Sequence, residues 1–221
     1  MAVQEIAVES EGRRLGAWYL RAEDESLATA AGRPCVVMAH GFGATRDSGL
    51  LPFAEGFTAA GADVLLVDYR GFGDSEGEPR RAVDHRAHRR DYHAAVARAR
   101  LIEGVDPARI VLWGSSYAGG HVVAVAAADP RIAGVISQGA AMDGLGAMLE
   151  ILRYAGVGQL LRLSVHALRD VAGALLGRAE HRVAIFGPPG ARRRSPRPTP
   201  APATSRSSGR RSSTTCRPAA S

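Results

Sequence analysis

The chain has 221 residues, with 28 basic and 22 acidic side chains, two cysteines and a formal charge of +6; that length suits one α/β domain, or a domain with a tail, and is ample for a sizeable core. Two cysteines, Cys35 and Cys216, make neither a disulfide framework nor a zinc-ligand spacing, so a reducing, cytoplasmic setting is expected. No apolar stretch approaches the roughly 20 residues that span a bilayer, and Met1-Ala2-Val3-Gln4-Glu5 lacks the basic and apolar regions of a signal peptide, so neither a membrane protein nor a secreted one is expected.

Val3 to Val8 and Leu15 to Arg21 read as antiparallel strands joined through Glu11-Gly12-Arg13. Cys35 to Ala39 is a continuous apolar run, the signature of a strand buried on both faces. It ends at His40-Gly41-Phe42-Gly43, where glycines let backbone approach a ligand. Pro52 to Ala60 is expected as a helix closed by Gly61, and Asp63 to Val67 as a second buried strand. The loop Asp68-Tyr69-Arg70-Gly71-Phe72-Gly73-Asp74-Ser75 leads to a helix from about Val83 to Ile102. Arg109 to Trp113 is the third buried strand, Ser116 to Ala128 a small-residue helix, and Ile132 to Ser137 a fourth strand. Such alternation predicts a doubly wound, mostly parallel α/β sheet.

From Leu145 to Leu176 the pattern turns to leucine-rich helical periodicity, which reads as an inserted pair of helices. His181 to Phe186 fits either a short strand or a lid segment. The last 35 residues, 187–221, then change the composition. They hold eight arginines, no acid and only Gly, Pro, Ala, Arg, Ser, Thr and Cys, whereas residues 1–186 set twenty arginines against all 22 acids for a balance of −2. With almost nothing to offset ordering entropy, the tail is expected to be disordered.

Chemistry concentrates at Trp113-Gly114-Ser115-Ser116-Tyr117-Ala118-Gly119-Gly120, where a buried strand runs through Gly-x-Ser-x-Ala-Gly-Gly straight into a helix. Attack by a hydroxyl needs the serine held out of the sheet on a tight turn, its Oγ exposed and the next N–H aimed at the developing oxyanion. Small neighbours allow strand and helix to close on that turn, and the helix dipole favours negative charge there. Taken alone, the same letters also fit a strand–turn–helix that is small only for packing.

The chain resembles the α/β-hydrolase superfamily over residues 1–186. Three landmarks carry the resemblance in order and spacing: His40-Gly41-Phe42-Gly43 is similar to the oxyanion loop after the third strand, Asp68 to Ser75 to the D-x-R-G-x-G-x-S loop after the fourth, and Gly114 to Gly119 to the nucleophile elbow after the fifth. Within the superfamily the chain looks closest to Xaa-Pro dipeptidyl-peptidase-like and serine-aminopeptidase-like hydrolases. The resemblance implies Ser116 as nucleophile and the backbone N–H groups of Phe42 and Tyr117 as oxyanion hole, with Ser115, at the variable position of the elbow, as the rival nucleophile. It also implies a helical cap at about 145–176. His40 is expected to brace its turn, Asp68 to anchor its loop and Arg70 to pair locally. His85, His88 and His93 lie among arginines and read as a solvated helix face rather than a metal site.

The family's order is serine, then acid, then histidine, each late member at a strand end. After Ser116 the histidines are His121, His166 and His181, and none completes a triad; His121 lies inside the helix after the elbow. Asp143 is the one acid in a suitable loop, and a structural role fits it as well. The fold's last strands are also missing from the sequence, leaving Ile132 to Ser137 as an apolar sheet edge. Exclusive use of arginine points to GC-rich coding, and a shifted frame in such DNA yields Arg, Pro, Ala, Gly, Ser and Thr. Residues 187–221 are therefore expected to be a frameshift product; the rival is a natural basic tail.

The main expectation is thus a cytoplasmic serine hydrolase of ester or amide (acyl) bonds, working through an acyl-enzyme on Ser116 and impaired by the missing triad members. It implies a small-molecule acyl substrate, no metal or organic cofactor, no membrane and no nucleic-acid partner, and leaves oligomeric state open. The alternative is a non-catalytic binding protein whose basic tail contacts nucleic acid or an anionic surface. A dinucleotide-binding fold is disfavoured, since the first βα loop lacks G-x-G-x-x-G with a ribose-binding acid at the expected distance.

Overall fold

In the computed structural model, which describes residues 2–177, β1 (Val3–Ser10) folds back on β2 (Arg13–Leu20) through a two-residue turn. Glu11 and Gly12 both have positive φ, 50° and 74°, the primed turn whose twist matches that of the strands it joins. There follow β3 (Arg33–Ala39), α1 (Leu51–Ala59), β4 (Asp63–Val67), α2 (His85–Ala99), β5 (Val105–Ser115), α3 (Tyr117–Ala128), β6 (Ile132–Gln138) and α4 (Gly144–Leu175). The six strands form one sheet in the order β1-β2-β4-β3-β5-β6. β1 and β2 pair antiparallel, β2 runs antiparallel to β4, and β4, β3, β5 and β6 are mutually parallel. The α/β sheet read from the alternation of elements is therefore present, mostly parallel as expected.

Because successive side chains on a strand face opposite ways, each continuous apolar run feeds two cores. Val36, Met38, Val64, Leu66 and Trp113 pack with Leu50 and Ala54 on the α1 side. Cys35, Val37, Leu65, Val67, Ile110 and Leu112 pack on the other face against Tyr92, Val96 and Ala99 of α2 and Ala118, Val122 and Val125 of α3. α2 starts where Asp84 accepts hydrogen bonds from the N–H groups of Arg86 and Ala87, an N-cap that sets its first residue at His85.

One element differs from the sequence reading. β5 is longer than Arg109–Trp113 at both ends. Val105 pairs with Arg33 beyond an irregularity in which β5 carries the extra residues, and Ser115 pairs with Gln138 of β6, so neighbouring strands extend it past its apolar centre. The expected pair of helices over 145–176 is present as α4, two helical stretches that meet at Gly156, where φ 76° and ψ 173° leave the helical region. Asp143 caps that run, its carboxylate accepting from the Gly146 N–H at 2.5 Å, which is the structural role. No helix among the described residues is long and apolar enough to cross a membrane. The segment His181–Phe186 and the tail 187–221 lie outside the described residues.

Candidate active site

Strand order locates the site before any side chain is considered. From β3 the chain passes through α1 to β4 on one side, and from β5 it passes through α3 to β6 on the other. The connections diverge at the carboxyl ends of β3 and β5, and ligands of open α/β sheets bind at such a switch point. Ala39 and Gly114 are register partners there, so the loop Gly41-Phe42-Gly43 and the turn Ser115-Ser116 leave the sheet side by side. A Cβ placed on Gly41 would stand 3.7 Å from the Ser115 carbonyl oxygen and 3.9 Å from the Ser116 Cβ.

Ser116 occupies the left-handed region, with φ 54° and ψ −116°, between the last residue of β5 and the first of α3. A non-glycine residue in that conformation stores on the order of 1–3 kcal/mol and persists only where its surroundings hold it. Three backbone hydrogen bonds do so: the Ser116 N–H donates to Gln138, and its carbonyl accepts from Ala141 at 2.9 Å and Gly120 at 3.3 Å. The small residues flanking it are obligatory. A Cβ on Gly114 would lie 2.4 Å from the Ala118 carbonyl oxygen, and one on Gly120 would lie 2.3 Å from that of Ala141. The result is an exposed Ser116 side chain, while Ser115 is half-buried at the end of β5. Neither the Phe42 nor the Tyr117 backbone N–H donates to a partner among the described residues, and the two rings meet edge-on at 5.8 Å.

The loop from Asp68 to Ser75 braces this arrangement. The Asp68 carboxylate accepts from the Arg46 backbone and guanidinium, both at 2.6 Å, and its carbonyl accepts from the Ser75 hydroxyl at 2.7 Å. Gly73 (φ 47°) is required here, because a Cβ would fall 2.0 Å from Asp68 Oδ2. Arg46 lies over the Trp18 ring, 4.8 Å from its centroid. Arg70 is engaged within the protein, on the buried carboxylate of Asp91 and on Glu11 and Ser10. Asp68 as loop anchor and Arg70 as a local partner are as the sequence reading has them.

His40 also braces its turn. Its Nδ1 donates to the Gly41 carbonyl at 3.0 Å, and Nε2 accepts from the Tyr69 N–H at 3.3 Å, which defines a neutral ring whose pKa burial holds down. His121 lies inside α3, with Nδ1 3.3 Å from the Tyr69 hydroxyl. His88 corrects the reading of a solvated histidine face: only His85 is exposed, whereas His88 is 1 % exposed and stacks on Tyr69 at 4.5 Å. Charge-rich neighbours at Arg86, Arg89 and Arg90 hide a buried stripe, His88-Tyr92-Val96-Ala99, whose spacings of four, four and three mark one helix face. Tyr92 on that stripe donates to the Trp113 carbonyl at 2.5 Å, tying α2 to β5 beside the elbow. That helical spacing was the signal for both residues. Among the described residues no group of three or more His, Cys, Asp or Glu side chains could hold a metal ion, and no imidazole or carboxylate bonds to Ser116 Oγ.

The sequence model described as the alpha/beta hydrolase fold matches residues 34–201. The chain belongs to the α/β-hydrolase family. Among its relatives, the quorum-quenching protein AidA of Acinetobacter baumannii is 43% identical over 162 residues, covering 73% of this chain and 52% of AidA. The thiohydrolase aneE of Aspergillus aculeatus is 42% identical over 107 residues, 48% of this chain and 34% of aneE. In structure, the α/β hydrolase GrgF from Penicillium sp. sh18 matches with a TM-score of 0.63 at 29% identity, over 81% of this chain and 57% of GrgF. The chain thus spans from about a third to just over half of the length of these proteins. These relatives do not carry the finer likeness to Xaa-Pro dipeptidyl-peptidase-like or serine-aminopeptidase-like enzymes.

Proposed function

We propose that this α/β-hydrolase chain carries the nucleophile and oxyanion hole of a serine hydrolase acting on acyl bonds, ester or thioester before amide. The observation that carries it is Ser116: an exposed serine in a left-handed conformation between the sheet's switch-point strand and the helix that follows. Ser116 Oγ attacks the acyl carbonyl carbon as its proton passes to a solvent water, the carbonyl electron pair moves to oxygen, and the N–H groups of Phe42 and Tyr117 hold the oxyanion. Collapse expels the alkoxide or thiolate, which takes a proton from solvent, and leaves an acyl-enzyme on Ser116, which water hydrolyses to the carboxylic acid and free Ser116. A thiohydrolase among the relatives supports the preference for activated acyl groups.

None of the buried histidines is assigned as the proton acceptor, because the hydrogen bonds of His40, His88 and His121 go to other groups and none reaches Ser116 Oγ. Nucleophile, oxyanion hole and binding alone leave about 10³–10⁴-fold catalysis over water in a serine hydrolase lacking a triad member. α4, which follows β6 directly, is the proposed cap, and a cytoplasmic setting for the buried, free Cys35 belongs to the same reading.

Mass spectrometry after treatment with a fluorophosphonate probe tests the assignment. The expected result is one adduct, on Ser116, that is lost in Ser116→Ala and kept in Ser115→Ala. An adduct on Ser115, or none on either serine, would remove Ser116 from the role.

A further inference from the structure

We propose that His88 is a positioning residue for acyl transfer: held on the Tyr117 hydroxyl, it fixes the first residue of α3 and with it the N–H that faces the oxyanion. The inference rests on Ser116 being the nucleophile, and goes beyond it in assigning a task to a buried polar cluster that the reaction does not touch.

Tyr117 is the residue after Ser116, and its half-buried ring packs against four others. His121, one helical turn on, lies 4.1 Å away centroid to centroid. Phe42 meets it edge-on at 5.8 Å, His88 at 5.8 Å and Tyr69 at 6.1 Å. His88 Nδ1 stands 2.9 Å from the Tyr117 hydroxyl. His88 is itself fixed, stacked on Tyr69 with 10° between the planes and edge-on to Phe72 at 5.6 Å. Tyr69 then reaches the other half of the oxyanion hole, since its N–H is bonded to His40, two residues before Phe42. One cluster therefore ties the two loops that carry the oxyanion donors to α2 and to each other.

A phenylalanine at position 88 would fill the same space and stack on Tyr69. The imidazole instead buries a polar ring whose Nε2 has no partner among the described residues, an arrangement that is costly unless the other nitrogen gains something specific. Its Nδ1 has the Tyr117 hydroxyl. The strained turn at Ser116 needs such support, because a residue held at positive φ relaxes unless its neighbours over-determine it. Displacing a preorganised donor costs catalysis in proportion to how far it moves.

The test uses the 221-residue chain with four variants: His88→Phe, which keeps the ring and loses the bond; His88→Asn, which returns a polar group near Nδ1; Tyr117→Phe; and the His88→Phe/Tyr117→Phe double variant. Two readouts are taken, the rate of Ser116 modification by a fluorophosphonate and the ¹H–¹⁵N resonance of the Tyr117 amide in the His88 variants. His88→Phe and Tyr117→Phe are each expected to slow modification about tenfold, with the double variant no slower than either and His88→Asn recovering most of the rate. The Tyr117 amide is expected to shift in His88→Phe and return toward its place in His88→Asn. Single effects that multiply in the double variant, or a Tyr117 amide indifferent to His88→Phe, would overturn the proposal and leave His88 a packing residue. If the unaltered chain is not modified at Ser116, the nucleophile reading fails; the amide resonance still decides whether His88 positions Tyr117. Should His88→Phe fail to fold, Tyr117→Phe carries the rate readout, and a rate equal to that of the unaltered chain would overturn the proposal.

Discussion

β4 and β6 are both short apolar strands in one sheet, yet they live in different surroundings. All five residues of β4 are buried, with β2 and β3 on its flanks and helices on both faces. β6 has no fully buried residue, and Val135 and Ile136 remain about 40 % exposed; among the described residues it pairs with β5 alone. The helices repeat the contrast, since α2 buries seven side chains while Leu145, Leu149 and Leu161 of α4 stay exposed. Apolar letters make a strand or helix eligible for burial, and neighbours decide whether burial happens.

The largest expected effect breaks the better-packed side. Asp91, fully buried on α2, holds Arg70 and Ser10, so Asp91→Ala should lower stability by on the order of 3 kcal/mol, read as the midpoint of urea unfolding. Next comes the paired test of the two strands. Leu65→Ala in β4 should cost about 3 kcal/mol by leaving a cavity, whereas Ile136→Ala in β6 should cost under about 1 kcal/mol. Equal losses would mean that β6 is covered in solution and that the contrast does not hold there.

The smallest effect concerns acid. Burial pushes the His88 and His121 pKa values down to about 4, while in the unfolded chain both titrate near 6.5. Around His88, Asp91 and Asp84 favour the charged ring and His40 and Arg70 oppose it; around His121, His88, Arg89 and His85 all oppose it. Between those values the unfolded chain binds more protons, so the histidines' contribution is full above about pH 6.5 and declines as pH falls toward 4. Urea midpoints should drop over that window, and the drop should shrink in a His88→Phe/His121→Phe variant.

Much of the site was legible because its requirements are local. Gly114 had to be glycine for a strand to turn straight into a helix, since a Cβ there would meet the Ala118 carbonyl, and the spacing of that turn marked Ser116. His40, Asp68 and Arg70 were legible as braces, since each serves the loop it sits on. His88 was misread because three neighbouring arginines outweighed a stripe that becomes visible only with Tyr92, Val96 and Ala99 counted together. Tyr69, inside a glycine loop, gave no periodic signal at all, although it proves to be the hub between His40, His88 and His121.

The sequence by itself determined the order of strands and helices, the family and the position of the strained serine, because apolar period, turn chemistry and steric demands act over a few neighbouring residues. Only the tertiary structure decided that β5 runs from Val105 to Ser115, that His88 is interior, and that the loops after β3 and β5 meet. Those facts depend on strand register and on which helix covers which face, interactions between residues tens of positions apart that no local pattern encodes.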